Sequence, residues 1–145
     1  MRVRRLESRD REAWRRLFLA YIAFYRASVP DGVVDLTWQR LMEGGDGAPV
    51  GLVAVDEADA AVGLAHILMH RSTWSPTWYC YLEDLFVDPA HRSNGAGRAL
   101  IEAVYREADA RACTRTYWVT EEANATARAL YDRMAAKAPF VQYRR

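Results

Sequence analysis

Residues 91–101 read HRSNGAGRALI. Glycine is a poor helix residue, yet Asn94, Gly95, Ala96 and Gly97 stand directly before an apolar stripe of helical spacing: Leu100, Ile101, Val104, Tyr105 and Ala108. Glycines at such a place let successive backbone N–H groups point at one spot, where the helix N-terminus adds about half a positive charge. A loop of this kind cradles phosphate, and Arg92 and Arg98 bracket it with side-chain charge. The same residues also suit a tight strand-to-helix turn that binds nothing. Either way the stretch needs a strand leading in and a helix leading out.

The strand is WYCYLEDLFV at 78–87, aromatic and β-branched, closed by Asp88-Pro89. Before it, PVGLVAVDE and AVGLAHILMH are short apolar runs about an acidic turn and predict a hairpin. VRRL at 3–6 suits an edge strand. Trp14, Leu17, Phe18, Tyr21, Ile22 and Tyr25 then recur at helical spacing, with Ser8 or Asp10 as cap. A shorter helix over 36–43 has Asp35 as its cap and Gly44-Gly45 as its stop. Downstream, TRTYWVT at 114–120 is a further strand, and 124–136 a helix with Asn124 as cap and Leu130, Tyr131 and Met134 on one face. Pro139 ends that region, and FVQYRR is a terminal strand. The order β-α-α-β-β-β-α-β-α-β predicts a mixed sheet packed with helices, an α/β (α+β) sandwich.

A chain of 145 residues, 51% apolar and 27% charged, predicts one domain over 1–145 with an ordinary core. Its 20 basic and 19 acidic side chains nearly cancel, so neither nucleic acid nor an anionic membrane is an expected partner. No apolar run approaches the ~18 residues of a membrane span, and MRVRRLESRD has no apolar region after its arginines. Cys80 and Cys113 read as reduced, buried thiols of a cytoplasmic protein. His66, His70 and His91 have no metal-ligand spacing, and no metal is expected.

Three phosphate-loop types can be set against residues 92–98. A nucleotide-hydrolase loop needs Lys followed by Ser or Thr after its last glycine, where this chain has Arg98-Ala99. A dinucleotide fingerprint wants a small residue where Leu100 stands and an acidic residue ~20 positions on. Glu121 is at a tolerable distance, but residues 88–94 lengthen the approach; a dinucleotide-binding oxidoreductase stays open as a weak alternative. The third type fits. Arg92-Ser93-Asn94-Gly95-Ala96-Gly97 resembles R/Q-x-x-G-x-G/A, the pyrophosphate loop of the GNAT superfamily of acetyl-CoA-dependent N-acetyltransferases. YLEDLFVDP at 81–89 is similar to the strand of the spermidine/spermine-type, histone and polyamine branch. Asn124 followed by Leu130-Tyr131 is similar to that family's N-x(5)-LY segment, and APFVQYRR to the branch's ending. The close resemblance covers residues 74–145. Ala135 and Ala136 stand where relatives carry Gly and an aromatic, a departure that bears on the helix C-cap and the path of the last strand.

The resemblance implies a mostly antiparallel central sheet with helices on both faces, and acetyl transfer to a primary amine in a ternary complex. The amine is a polyamine, a diamine, an amino acid or a protein lysine. An alkylammonium has a pKa of ~10.4, so its neutral form costs about 4 to 5 kcal/mol at pH 7 and a base is needed. The resemblance favours Glu83 as that base, with Asp84 holding the ammonium group or the local backbone; successive strand residues face opposite ways, so only one of the two should meet the substrate. Leu85, Phe86 and Val87 match the positions whose backbone groups receive pantetheine and the acetyl carbonyl. The loop residues Arg92, Ser93, Asn94, Gly95, Ala96, Gly97 and Arg98 match the cofactor loop, and Asn124 and Ala127 the contact with the CoA arm. Tyr131 corresponds to the general acid for the departing thiolate. Asp31, Asp35, Trp74, Trp78 and Tyr79 are candidates for an acceptor pocket acting by charge and cation–π contact, with a surface loop and a half-buried strand as the other account. A non-catalytic CoA-binding sensor is the remaining alternative. Relatives of this kind are commonly homodimers, and FVQYRR suits pairing across an interface.

Overall fold

Near-continuous apolar runs in the middle strands demand cover on both sides of a sheet. The computed structural model describes residues 1–145 and provides that cover with four helices. Strands β1 (Arg2–Arg5), β2 (Val50–Val55), β3 (Ala61–Arg71), β4 (Trp78–Val87) and β5 (Cys113–Tyr117) lie side by side in that order. Helices α1 (Arg11–Phe24) and α2 (Val33–Glu43) follow β1, α3 (Ala96–Ala110) joins β4 to β5, and α4 (Ala125–Met134) follows β5. The first four strands are antiparallel neighbours; β5, reached through α3, runs parallel to β4. No helix is long and apolar enough to cross a membrane.

Trp14, Leu17, Phe18 and Trp38 of α1 and α2 pack on Val53, Val55, Leu64 and Phe86. Leu100, Ile101 and Val104 of α3 pack on Leu52, Ala65, Ile67 and Leu82 from the other side. Full burial of such side chains contributes about 1.5 to 3 kcal/mol each, so the two cores clamp the sheet along β2, β3 and β4. Helix α2 starts one turn earlier than its sequence pattern implies, with Gly32 at φ +82° as its N-cap. Asp35 therefore lies in the first turn, where a negative charge suits the helix dipole, and pairs with Arg15 at 2.9 Å. The acidic turn of the β2–β3 hairpin is held by Asp56 Oδ1, which accepts from the N–H groups of Ala58 and Ala60.

Strand β5 ends at Tyr117, three residues before the apolar run does, and Trp118 leaves the sheet to pack between Tyr105 and Tyr131. The expected terminal strand is absent: residues 136–145 form no strand, and Phe140, Val141 and Tyr143 stand exposed. Ala135 leaves α4 in an extended conformation. No backbone group of residues 136–145 hydrogen-bonds to a strand of its own sheet, so the alternation of FVQYRR finds no edge to join within the chain.

Asp10 ties β1 to α1. Its carboxylate does not cap the helix but accepts from Arg4 Nη1 and Nη2 at 2.7 and 2.9 Å and from the Glu7 N–H at 2.8 Å. Burial pushes its pKa up; the bonds from Arg4 and Glu7 and the charges of Arg4 and Arg9 outweigh that and hold it below the usual carboxylate range. A depressed folded-state pKa gives stability that is present above the unfolded value and is lost as pH falls through the folded one. Asp10→Ala, which leaves Arg4 with Asp59 as its remaining hydrogen-bonded carboxylate at 3.2 Å, should cost about 1 to 3 kcal/mol in urea unfolding at pH 7, and the difference from the parent chain should shrink as the pH is lowered below 4.

Candidate active site

Strand β4 has a partner on both sides for only part of its length. Its pairing with β5 covers Trp78 to Tyr81 and stops at the Tyr81–Tyr117 rung, so residues 82–87 face β3 on one side and no strand on the other. The Asp88 N–H bonds the Val62 carbonyl, which sets the alternation: Phe86 and Asp84 direct their backbone groups at β3, while Leu85 and Val87 direct theirs into the opening. The Val87 carbonyl there accepts from Arg92 Nε at 3.1 Å. Phe86 differs from its two neighbours, because its ring is buried against Tyr21 and its backbone is engaged with β3. It anchors the strand.

The glycine loop sits at the end of that opening. Ser93 and Gly95 adopt φ +69° and +79°, and α3 begins at Ala96. The backbone N–H groups of residues 93–98 donate to nothing within the chain. Six unpaired donors at a helix N-terminus form a seat for an anion, and the diphosphate of a coenzyme fits that chemistry. The two glycines do different jobs: Gly95 takes the left-handed backbone, whereas a Cβ on Gly97 would lie 3.2 Å from Leu130 Cδ2 of α4. Gly97 thus lets α4 close on α3. Arg98 turns outward to Glu102 at 2.9 Å and leaves Arg92 as the loop's inner guanidinium.

Helix α4 is held by the Leu130 contact, by the Tyr105 hydroxyl donating to the Met134 carbonyl at 2.7 Å, and by Trp118 edge-on to Tyr131 at 5.4 Å. Burial, with a smaller effect from Tyr25, pushes the Tyr131 pKa up to about 12, so its hydroxyl keeps its proton at neutral pH. Asn124 is the N-cap of α4: its Oδ1 accepts from the Ala127 N–H, and its Nδ2 reaches Thr120. Those bonds account for both residues as helix capping. A cleft of about 410 Å³ opens between Tyr25 and Arg26 at the end of α1 and Glu121 and Asn124 before α4.

Glu83 and Asp84 are not related as neighbours in a regular strand. Asp84 pairs with His66 and Leu82 with Ile67, so Glu83 is the extra residue of a β-bulge and has no opposite number. Burial first, and the Asp84 charge second, push the Glu83 pKa up, against a smaller opposing effect of His66. Asp84 Oδ2 lies 2.8 Å from His66 Nδ1. The Tyr21 hydroxyl stands beside it, its own pKa raised by burial and then by the Asp84 charge.

The acceptor-pocket residues do not gather at these carboxylates. Trp74 is 93% exposed at the tip of the β3–β4 hairpin, beyond Trp78 and hence more than about 17 Å along the strand from Glu83. Arg71 and Arg111 lie over the Trp78 ring at 4.6 and 4.8 Å and Arg115 over Tyr79 at 4.7 Å, so the protein's own cations occupy those faces. Asp31 is exposed in the turn before α2 and makes no hydrogen bond, and Asp35 faces outward from the first turn of α2. Tyr21, Tyr25 and His66 border the site instead. Their signals were a helix stripe reaching past the core and a lone histidine inside an apolar strand. No group of three or more His, Cys, Asp or Glu side chains is placed to hold a metal ion. Cys80 is buried and Cys113 half-buried, both free, and burial raises both thiol pKa values.

The sequence pattern of the acetyltransferase (GNAT) family matches residues 12–136. The chain belongs to this family. It is 36% identical over 148 aligned positions to the D-amino-acid N-acetyltransferase HPA3 of Saccharomyces cerevisiae, covering 99% of this chain and 89% of that protein. Over 84 residues it is 40% identical to the mycothiol acetyltransferase of Clavibacter sepedonicus, a match to 57% of this chain and 25% of that one. In fold, the structure of AAC(6')-Iy in complex with a CoA-containing bisubstrate analog superposes with a TM-score of 0.84 at 19% identity, covering 99% of this chain and 96% of that one. The GNAT chain is thus an acetyltransferase using acetyl-CoA and acting on amines, and the dinucleotide oxidoreductase reading of the loop falls.

Gly97→Val should overpack the α3–α4 contact and cost about 1 to 3 kcal/mol in thermal unfolding. Adding Leu130→Ala should recover part of that loss, and additive losses would show that the two residues do not share the contact.

Proposed function

We propose that this acetyltransferase, with residues 1–145 as its domain, passes acetyl directly from acetyl-CoA to a small primary amine bound beside it, with Glu83 as base and Tyr131 as acid. The carrying observation is the unpaired edge of β4, with a bulged carboxylate at one end and a loop of unpaired N–H donors at the other. Acetyl-CoA supplies an acetyl thioester; its diphosphate suits the N–H groups of residues 93–98 and Arg92, and its pantetheine the backbone of Leu85 and Val87. Glu83, solvent-accessible and raised in pKa, takes the ammonium proton onto its carboxylate, directly or through water. Its raised pKa lessens the mismatch with the amine, which is how a carboxyl group is made a better base near neutral pH. The Tyr131 Oη carries the proton that the departing sulfur requires.

The lining of the cleft supports the choice of acceptor. Arg26 and Glu121 give it one charge of each sign, and Tyr25 joins it to the Tyr21–Asp84 side. An amino acid, which carries both charges itself, suits that lining, and the name of the yeast relative points the same way. Polyamines, diamines and a lysine peptide are the comparison acceptors. The residues similar to the polyamine and histone branch, 81–89 and 124–131, lie in the strand edge and in α4, and do not distinguish among amines.

A second copy of the chain is the proposed partner of residues 140–145. Phe140, Val141 and Tyr143 alternate as a strand requires, find no cover on their own protomer, and would add to the open β5 edge of another. Sedimentation should show a dimer that deletion of residues 139–145 converts to a folded monomer; an unchanged mass on deletion would sink the idea.

Acetyl-CoA should raise the melting temperature, and an amine should release thiol from it. Glu83→Gln and Tyr131→Phe should each lower kcat by about 100-fold or more while still being stabilised by acetyl-CoA. The rate should fall on the acid side as Glu83 takes up its proton, at a pH above the ordinary glutamate range. Full activity in Glu83→Gln would remove the base assignment.

A further inference from the structure

His66 is 2% exposed, inside an otherwise apolar stretch of β3 and against the rings of Trp14 and Phe18. A buried imidazole without partners leaves two polar nitrogens unsatisfied, and here both are used. Trp14 Nε1 lies 2.8 Å from His66 Nε2. An indole N–H can only donate, so Nε2 is the acceptor and carries no proton. The neutral ring's one proton is on Nδ1, which donates to Asp84 Oδ2 at 2.8 Å. The indole, rooted in α1, fixes the tautomer of a histidine on β3, and that tautomer fixes a carboxylate on β4.

The place of this line matters as much as its bonds. His66–Asp84 is the last rung before the bulge, and the next rung is Ile67–Leu82. A slip of one residue would set Glu83 against His66 and send Asp84 out into the bulge. Asp84 has no arginine or lysine partner, and the one basic side chain within hydrogen-bond distance is the neutral ring of His66. The groups facing it are His66 from β3, Tyr21 from α1, with Tyr25 behind, and Glu83 on its own strand. Facing His66 are Trp14 and Phe18 from α1 and Asp84 from β4; Glu83 is faced by Asp84, Tyr81 and, more weakly, His66. Asp84 is therefore held by the dipoles of His66 and Tyr21, with no arginine or lysine of the protein paired to it.

We propose that Trp14 and His66 are positioning residues that decide which of the two adjacent carboxylates is free: they engage Asp84 inside the fold, so that Glu83 is the one bulged toward the acceptor. This rests on Glu83 being the base. Asp84 then acts through Glu83 and does not itself hold the acceptor's ammonium group.

The test compares amine-dependent thiol release, pH–rate profiles and acetyl-CoA thermal shifts for five variants of the full chain. Glu83→Gln and Asp84→Asn report on the carboxylates, His66→Leu and Trp14→Phe on the line. Trp14→Phe/His66→Asn keeps an N–H for Asp84 while removing the indole donor that asparagine cannot meet. His66→Leu should lower kcat about 10- to 100-fold and leave the acetyl-CoA thermal shift as in the parent, which shows it folded. Asp84→Asn, which removes the charge beside Glu83, should move the acid limb to lower pH. The double variant should recover to within about threefold of Trp14→Phe, a rescue that a merely space-filling histidine would not give. Parent-like kcat in His66→Leu alongside an inactive Glu83→Gln overturns the positioning line and leaves the base assignment standing. Full activity in Glu83→Gln overturns both. Should His66→Leu not fold, a double variant no more active than its own Glu83→Gln derivative overturns the line.

Discussion

Beyond Tyr81, β4 continues for six residues that β5 does not accompany. An interior strand with an unpaired edge leaves backbone donors and acceptors without partners, and buried groups of that kind destabilise a fold by roughly 1 to 3 kcal/mol each. The fold tolerates the opening because everything around it is clamped. Trp14, Leu17 and Phe18 press β4's neighbours from one side, and Leu100, Ile101 and Val104 from the other. One continuous strip of unpaired backbone runs from the bulge at Glu83 through Leu85 and Val87 to the N–H groups of residues 93–98. A ligand that is polar along one side and anionic at one end complements that strip.

Two carboxylates adjacent in sequence would be a poor arrangement in a regular strand, since one would point into a core. The bulge removes that conflict by adding a residue to β4 that β3 does not match. It also makes the acids unequal. One has His66 as both rung partner and hydrogen-bond partner; the other has solvent, a neighbouring carboxylate and a raised pKa. Differences of environment between paired titratable groups are how acid and base roles are divided without a change of residue type.

The glycine loop, the boundaries of β4 and the stripe of α3 were legible in the sequence because each is local. A helical period, a turn residue and a proline act over a few positions. The bulge was not legible, because it is a count of residues on one strand against another and appears only when both are aligned. His66 was visible as an oddity in AVGLAHILMH, but its partners lie 52 and 18 residues away, in α1 and β4. The aromatic cluster misled for a related reason: Trp78 and Tyr79 have the composition of a cation site, and Arg71, Arg111 and Arg115 already fill it. FVQYRR has the alternation of a strand, but alternation does not provide an edge to join or a surface to bury against.

The proposed acid and base, Tyr131 and Glu83, stand on separate elements, and burial moves both pKa values upward. The same cause has opposite chemical meanings for the two. For the carboxyl group, a higher pKa makes the ionised form a stronger base; for the phenol, it secures the neutral form as a store of the proton. Partial burial thus favours both groups for the roles proposed for them, proton removal by one and proton delivery by the other. For Tyr131 that burial depends on α4 lying close against α3. That approach in turn depends on a residue without a side chain at position 97, where a Cβ would already crowd Leu130. The second glycine of HRSNGAGRALI is therefore as much a part of the placement of α4, and with it Tyr131, as of the loop of unpaired N–H groups.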